Sequence, residues 1–137
     1  MSKAHFGSLP SQYSFFLNPY SDVRFSRCPK CRRLTNIRKF ALLIHIDPRG
    51  LFALRKTSRY CPVCELIIVH QDELESQLAT ILSQQDPSRV GKRYFVIGCF
   101  KMKAWKAGMQ TPLGFEDIRK HTADFKYQLN FTPDLES

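Results

Sequence analysis

Cys28-Pro-Lys-Cys31 and Cys61-Pro-Val-Cys64 are two copies of one short motif, and together they decide how this chain folds. In each copy two residues separate the thiols, a spacing that lets a tight turn direct both sulfur atoms at one metal ion. Two such turns supply four thiolates, the closed tetrahedral ligand set of a structural zinc site. The sequence therefore predicts that Cys28, Cys31, Cys61 and Cys64 bind one structural Zn²⁺ that stabilises the fold and takes no part in catalysis.

Thiol redox chemistry is the alternative for the same motif, because Cys-Pro-x-Cys also occurs in oxidoreductases whose first thiol lies at a helix N-terminus. Neither copy opens a helical pattern here: Cys64 is followed by the apolar run Leu66-Ile-Ile-Val69, and Cys31 by Arg-Arg-Leu-Thr. A zinc deaminase is excluded, since no histidine is followed two residues later by the glutamate which that chemistry needs. The paired motif favours zinc over redox chemistry.

The matched proline in both motifs, with bulky or basic residues around them, resembles the zinc knuckles of the zinc ribbon group. The resemblance covers residues of about 25–70 and stops there. Zinc ribbons occur in transcription factors, polymerase subunits and ribosomal proteins, so the resemblance implies metal binding and leaves the partner open. The 29 residues between Cys31 and Cys61 exceed the usual spacing of about 15–20, so the connecting hairpin must be long.

That connecting segment has the pattern of a β-hairpin. Two strand-like runs, Ile37–Ile46 and Leu51–Thr57, flank Asp47-Pro-Arg-Gly50, whose residue order suits a type I turn. Pairing across this turn places the apolar residues near it and the basic residues towards the cysteines. The hairpin is therefore predicted to be apolar at its tip and cationic at its base.

The remaining pattern predicts an α+β fold. A helix is expected over Asp72–Gln85 and a buried strand over Tyr94–Phe100, with short helices at 101–106 and 115–122 and a half-buried strand over Phe125–Phe131. We thus expect a zinc ribbon with a long β-hairpin, joined to a small sheet with one main helix and one or two short helices. The expected divisions are an extended aromatic arm (1–27), the zinc ribbon (28–70) and an α+β part (71–137) that shares one core with the ribbon.

Charge is distributed unevenly along the chain, whose net charge is +9. Residues 1–64 contain 12 lysines and arginines against two acids, whereas residues 65–137 contain nine against ten. A concentrated positive field favours polyanions, chiefly nucleic acid, although part of it offsets the charge of four thiolates. The residues predicted to bind nucleic acid are those around the two motifs: Arg24, Arg27, Lys30, Arg32, Arg33, Arg55, Lys56 and Arg59.

These features predict a non-enzymatic zinc-ribbon protein that binds nucleic acid through a basic patch, as a subunit of a nucleoprotein assembly. The alternative is a protein-interaction adaptor that docks through the apolar hairpin tip or the aromatic arm. A third hypothesis is an enzyme with its site in the C-terminal α+β part, although no small-molecule substrate is predicted. Because the sequence shows neither the apolar core of a secretory signal nor a membrane-spanning run, we expect no membrane partner and an intracellular location, in the cytoplasm or with the nucleoid or nucleus. Five cysteines in a reducing compartment favour metal binding over disulfides.

Overall fold

A computed structural model describes residues 6–46, 50–85, 94–101 and 115–132. The chain folds into two compact units, each drawn from three stretches of sequence. We call residues 13–39, 57–90 and 127–137 the cysteine unit, because all four predicted ligands belong to it. Residues 1–12, 40–56 and 91–126 form the outer-hairpin unit.

Seven strands and two helices are formed by the residues that the structure describes. They are β1 (Ser14–Asn18), β2 (Asn36–Ile46), β3 (Gly50–Cys61), β4 (Leu66–His70), α1 (Gln71–Gln85), β5 (Tyr94–Phe100), α2 (Phe115–Lys120), β6 (Thr122–Asp124) and β7 (Gln128–Leu129). The strand order is β6-β5-β2-β3-β4-β1-β7. The described chain is thus mainly β.

The predicted α+β fold, with a small sheet and one main helix, is therefore wrong. The stretch expected to be an extended arm contains β1, whose Phe15 and Phe16 are each 1% exposed and which lies between β4 and β7. Thr122, expected to end a helix, instead begins β6. Short strands of this kind form all their ladder hydrogen bonds with other segments of the chain. Their own sequence therefore gives little indication that they are strands.

The strongly periodic segments are confirmed. Strands β2, β4 and β5 match the predicted runs within about two residues, and α1 begins one residue before its predicted start. Leu74 and Leu78 of α1 are buried, as its apolar spacing predicts. Residues 47–49 of the predicted turn Asp47–Gly50 and residues 102–106 of the predicted helix 101–106 lie outside the described residues. Neither helix of the described part is long and apolar enough to cross a membrane.

Strand β4 organises the cysteine unit. It pairs in parallel with β1, so that Phe16 lies opposite Ile68, and antiparallel with β3, so that Arg59 lies opposite the same Ile68. Paired residues project from the same face of a sheet. The same face also carries Cys61 and Leu66, which pair at the end of the β3–β4 ladder. One face of this sheet therefore brings apolar, cationic and thiol side chains together.

In the outer-hairpin unit, β5 pairs antiparallel with β2 and with β6. The segment after residue 5 lies along β6: the carboxylate of Asp124 accepts hydrogen bonds from the backbone N–H groups of Phe6 (2.8 Å) and Gly7 (2.7 Å). A Cβ atom at Gly7 would lie 2.1 Å from the Thr122 carbonyl oxygen, so the close approach requires glycine.

Candidate metal centre

The structure brings the four predicted ligands together. Their sulfur atoms all lie within 4.8 Å of one another, with Cys31 Sγ 3.5 Å from Cys61 Sγ and Cys28 Sγ 3.9 Å from Cys64 Sγ. Around a tetrahedral ion with Zn–S bonds of about 2.3 Å, two sulfurs are about 3.8 Å apart. A disulfide needs about 2.05 Å, and all four cysteines are free. The four sulfurs are therefore spaced as the ligands of one tetrahedral metal ion would be.

The first motif lies in a miniature hairpin, residues 26–35, which we call the first knuckle. Its two sides are joined where the Cys28 N–H donates to the Arg33 carbonyl (2.8 Å) and the Thr35 N–H donates to the Ser26 carbonyl (2.9 Å). The Arg32 N–H donates to the Cys28 carbonyl (2.9 Å) and closes the four-residue loop. The loop turns Cys28 and Cys31 towards the same point.

The second motif forms the turn between β3 and β4, and we call residues 61–66 the second knuckle. Cys61 is the last residue of β3 and pairs with Leu66, the first residue of β4. The loop again has four residues, and its last, Glu65, has a φ of 51°. Arg32, at the same place in the first knuckle, has a φ of 69°. Both loops therefore end in the left-handed region, which non-glycine residues rarely adopt.

Backbone amides of the knuckles stabilise charged sulfur. The Lys30 N–H donates to Cys28 Sγ at 3.4 Å, and the Cys64 N–H donates to Cys61 Sγ at 3.5 Å. The pKa of the Cys31 thiol is lowered to about 7, chiefly by the hydrogen bond from the Arg33 N–H. Such donors favour thiolates, which are the form that binds metal.

Burial raises the pKa of two of the four thiols and so opposes the effect of the amide hydrogen bonds. It raises the pKa of Cys28, and it raises the pKa of Cys64 to about 12, because the thiolate form loses water. A divalent cation resolves the conflict, since it neutralises part of the clustered negative charge while the amide hydrogen bonds remain. The site is therefore electrostatically suited to a bound metal ion.

An apolar cluster encloses the sulfurs. Cys28 and Cys61 are fully buried and pack with Phe16, Leu66 and Ile68. The Phe16 ring meets two further rings edge to face, those of Phe25 and Phe131, at centroid distances of 5.1 and 5.2 Å. Four sulfur ligands also fill the coordination positions of a tetrahedral ion, which leaves none for a substrate.

The redox alternative finds no geometric support in the described part of the chain. Its helices begin at Gln71 and Phe115, so neither cysteine motif opens one. Cys28 and Cys61 each precede a hairpin loop instead. The helix N-terminus that lowers the pKa of the first thiol in oxidoreductases is therefore missing from both motifs.

The predicted nucleic-acid-binding residues have different environments. Those of the first knuckle are exposed, whereas Arg59 is half-buried and Lys56 is only 5% exposed, so Lys56 adds nothing to a surface patch. Arg24 is exposed and forms an ion pair with Glu73 of α1. Arg55 and Lys56 belong to the outer-hairpin unit, and the other six belong to the cysteine unit. The exposed cations of the first knuckle are Arg27, Lys30, Arg32 and Arg33, which we call the knuckle patch.

The predicted apolar hairpin tip is only partly exposed. Leu43, Ile44 and Ile46 are each at most 1% exposed and belong to the core of the outer-hairpin unit, whereas Leu51 and Phe52 are half-buried. The exposed apolar residues near the metal site are different ones: Leu34 and Ile37 are each 65% exposed and Val63 is 59% exposed. Sequence reasoning missed them, because an isolated apolar residue beside a turn has no periodic neighbour to mark its exposure.

Comparison of this chain with protein-family models, with curated proteins and with solved structures gave no match. The resemblance to zinc ribbons therefore rests on the two cysteine motifs and their geometry. What the structure establishes is a cluster of four cysteines that could hold a metal ion, in a chain whose described part is mainly β.

Proposed function

We propose that this protein is a non-enzymatic module of the zinc ribbon type, stabilised by one structural Zn²⁺, that binds nucleic acid through the knuckle patch. The observation that carries the proposal is the exposure of four cations on one ten-residue hairpin that also contributes Cys28 and Cys31 to the four-cysteine cluster. Lysine and arginine side chains on a rigid surface bind phosphates and release counterions from the nucleic acid.

Zinc is the proposed metal because of the ligands. Thiolates are soft donors, and a tetrahedral four-sulfur set is typical of zinc or of iron–sulfur chemistry. The two Cys-x₂-Cys turns on separate hairpins are the arrangement of structural zinc sites, in which metal binding supplies folding free energy. One ion then links Cys28 to Cys64 across the cysteine unit and holds the first knuckle against β3 and β4.

Phosphate binding suits the knuckle patch better than base recognition. The four cations project from the loop and sides of the first knuckle, while the aromatic rings near the cysteine cluster, such as Phe16 and Phe25, are buried. Phosphate contacts position a protein on nucleic acid without reading its bases. We therefore expect binding that depends strongly on salt and weakly on sequence.

Fluorescence anisotropy of labelled single-stranded and duplex oligonucleotides tests the proposal. The test variant carries Lys30→Gln, Arg32→Gln and Arg33→Gln, and the matched control carries Lys101→Gln, Lys120→Gln and Lys126→Gln, which remove the same charge from exposed sites of the outer-hairpin unit. We expect the test variant to bind at least about tenfold more weakly, and the slope of log K against log salt to fall by roughly 0.9 for each phosphate that the variant no longer neutralises.

The expected control result is a small change in affinity, from the loss of net charge alone. The proposal fails if the wild-type protein does not bind at about 50 mM salt, or if the two triple variants weaken binding equally. Metal content is measured on every variant, so that a change in the knuckle fold is not mistaken for weaker phosphate binding by an intact patch.

A further inference from the structure

A cavity of about 330 Å³ lies within the cysteine unit, beside the first turn of α1. Its lining includes residues from five segments that are distant in the sequence. They include Arg24, Ile37, Arg59, Ile68, His70 and Glu73. The volume is at the lower end of the range of small-molecule sites in proteins.

One wall of the cavity is cationic. Arg24 forms an ion pair with Glu73 across its edge, and both side chains are about half exposed. Arg59 is half-buried, lines the cavity and makes no side-chain hydrogen bond or ion pair with a residue that the structure describes. Its guanidinium nitrogens keep contact with water. The guanidinium can therefore exchange that water for an anion that enters the cavity.

Both ring nitrogens of His70 have partners within the cysteine unit. Nδ1 accepts the Glu73 backbone N–H at 3.4 Å, and Nε2 lies 3.0 Å from the Ser21 carbonyl oxygen. His70 therefore caps the first turn of α1 and fixes that edge of the cavity.

Two aliphatic side chains also line the cavity. Ile68 is 3% exposed and lies beside Arg59 across the β3–β4 ladder, while Ile37 is 65% exposed. The remaining lining residues, Asn18, Thr57 and Ser58, are polar. The cavity thus offers apolar and polar contacts next to its arginines, which suits a ligand that carries a less polar group beside a phosphate.

We propose that this cavity binds a phosphate monoester, with Arg59 as the main anion-binding residue and Arg24 as the second. A guanidinium donates two parallel hydrogen bonds to phosphate oxygens, and Arg24 reaches the ligand when it exchanges the Glu73 carboxylate for the phosphate. The positive end of the α1 dipole adds a weaker attraction. The ligand is a free nucleotide or the 5′-phosphate at the end of a nucleic-acid strand, which present the same group. The proposal does not rest on the knuckle patch.

The cavity also shares its floor with the metal centre. Ile68 packs in the cluster that contains Cys28 and Cys61, and Arg59 precedes Cys61 by two residues on β3. Loss of the metal is therefore expected to disturb both the floor and the cationic wall. Phosphate binding should follow metal content.

Isothermal titration calorimetry of the intact, metal-loaded protein tests the proposal, with adenosine 5′-monophosphate, inorganic phosphate and adenosine as probes. We expect the monophosphate and inorganic phosphate to bind and adenosine to bind far more weakly. Arg59→Gln should reduce affinity for the monophosphate by about tenfold or more. Glu73→Gln should increase it about threefold, because Arg24 is released and a repelling charge is removed.

Arg33→Gln is the matched control, since it removes one exposed arginine from the knuckle patch, outside the cavity. It should leave affinity for the monophosphate unchanged while it weakens oligonucleotide binding. A stronger signal from a 5′-phosphorylated oligonucleotide than from its 5′-hydroxyl counterpart, with weak binding of the free nucleotide, identifies the strand end as the ligand. Arg59→Lys, which keeps the charge, should retain part of the affinity and serves if Arg59→Gln does not fold.

Three results overturn the proposal. One is the absence of binding heat with both phosphate probes. Another is equal affinity of wild type and Arg59→Gln for the monophosphate. The third is weaker monophosphate binding by Glu73→Gln, since an anion site must gain from the loss of a carboxylate.

Discussion

The two knuckles have the same four-residue loop but different support. In each, Cys-Pro-x-Cys is followed by a residue in the left-handed region, Arg32 in the first and Glu65 in the second. The second knuckle is the turn of the β3–β4 ladder, so the sheet maintains it. The first is a small hairpin held by backbone hydrogen bonds between its own residues, 26–35. The same loop geometry is thus supported by the sheet in the second knuckle and by local backbone hydrogen bonds in the first.

This difference predicts that the first knuckle depends on the metal more than the second. Without the ion, the first knuckle keeps its local hydrogen bonds and its contact with Phe16 through Phe25, whereas the second keeps two flanking strands. The exposed cations of the knuckle patch belong to the first knuckle, which is expected to depend more on the metal. Any function of the knuckle patch is therefore coupled to metal binding.

Metal removal should have the largest effect. Structural zinc supplies about 10–16 kcal/mol of apparent binding free energy in zinc-finger peptides, so its loss should unfold the first knuckle and lower the stability of the cysteine unit by several kcal/mol. Hydrogen exchange measured by mass spectrometry after chelation should show reduced protection over residues 26–35 and greater residual protection over β3 and β4. Elemental analysis should find one zinc per chain before chelation.

Cys31→Ala should show the same loss of protection from hydrogen exchange as chelation of the wild-type protein. Cys99→Ala changes a cysteine outside the cluster and should retain both the metal and the protection of residues 26–35. Material that contains no zinc or iron and whose exchange does not respond to a strong chelator would contradict the four-sulfur centre. An equal decrease of protection in both knuckles would contradict the difference in their support.

A smaller effect is expected from Thr35, which ties the base of the first knuckle. Its buried hydroxyl is 3.0 Å from the carbonyl oxygens of both Phe25 and Ser26. Thr35→Val preserves the shape of the side chain but removes the hydroxyl donor from these two carbonyl oxygens. The loss should lower the free energy of unfolding by about 1–3 kcal/mol. Urea denaturation of the metal-loaded protein measures the change.

Thr80→Val is the matched control for this prediction. Thr80 also donates to a carbonyl, that of Ser76 at 3.0 Å, but on the exposed surface of α1. We expect its effect to remain within about 0.5 kcal/mol. The interpretation of Thr35 as the tie of the first knuckle fails if the two substitutions destabilise equally.

The smallest expected effect comes from the left-handed residue of the first loop. Arg32→Gly relieves a backbone cost of about 1–2 kcal/mol, which offsets the entropy that glycine adds to the unfolded chain. Arg33→Gly removes the same charge at the next residue, where φ is not positive, and therefore gains no such relief. The first variant should be more stable than the second by about 1 kcal/mol in thermal or urea denaturation. The opposite order would contradict the backbone assignment.

The clustering of the four cysteines was predictable from the sequence because the geometry of each motif is local. Two thiols at Cys-x₂-Cys spacing point to one ion wherever their turn forms, so two such turns define the ligand set before the fold is known. The left-handed residues were not predictable, since neither Arg32 nor Glu65 is the glycine that normally marks such a backbone.

The cavity had no sequence signal. Arg24, Arg59 and Glu73 are separated by 35 and 14 residues, and the ion pair between Arg24 and Glu73 joins residues 49 apart. Charged residues at such separations look alike in a sequence, whether they face solvent or a cavity. Lys56 is another case that the sequence could not show, because lysine is a typical surface residue and this one is buried.

By itself the sequence determined the set of four clustered cysteines, strand β2 and α1, because each depends on spacing or periodicity within a short segment. The tertiary structure alone decided the mainly β class, the burial of β1 and Lys56, and the convergence of Arg24, Arg59 and Glu73. The physical reason is that a strand completes its hydrogen bonds, and a cavity gathers its lining, from segments far apart in the chain.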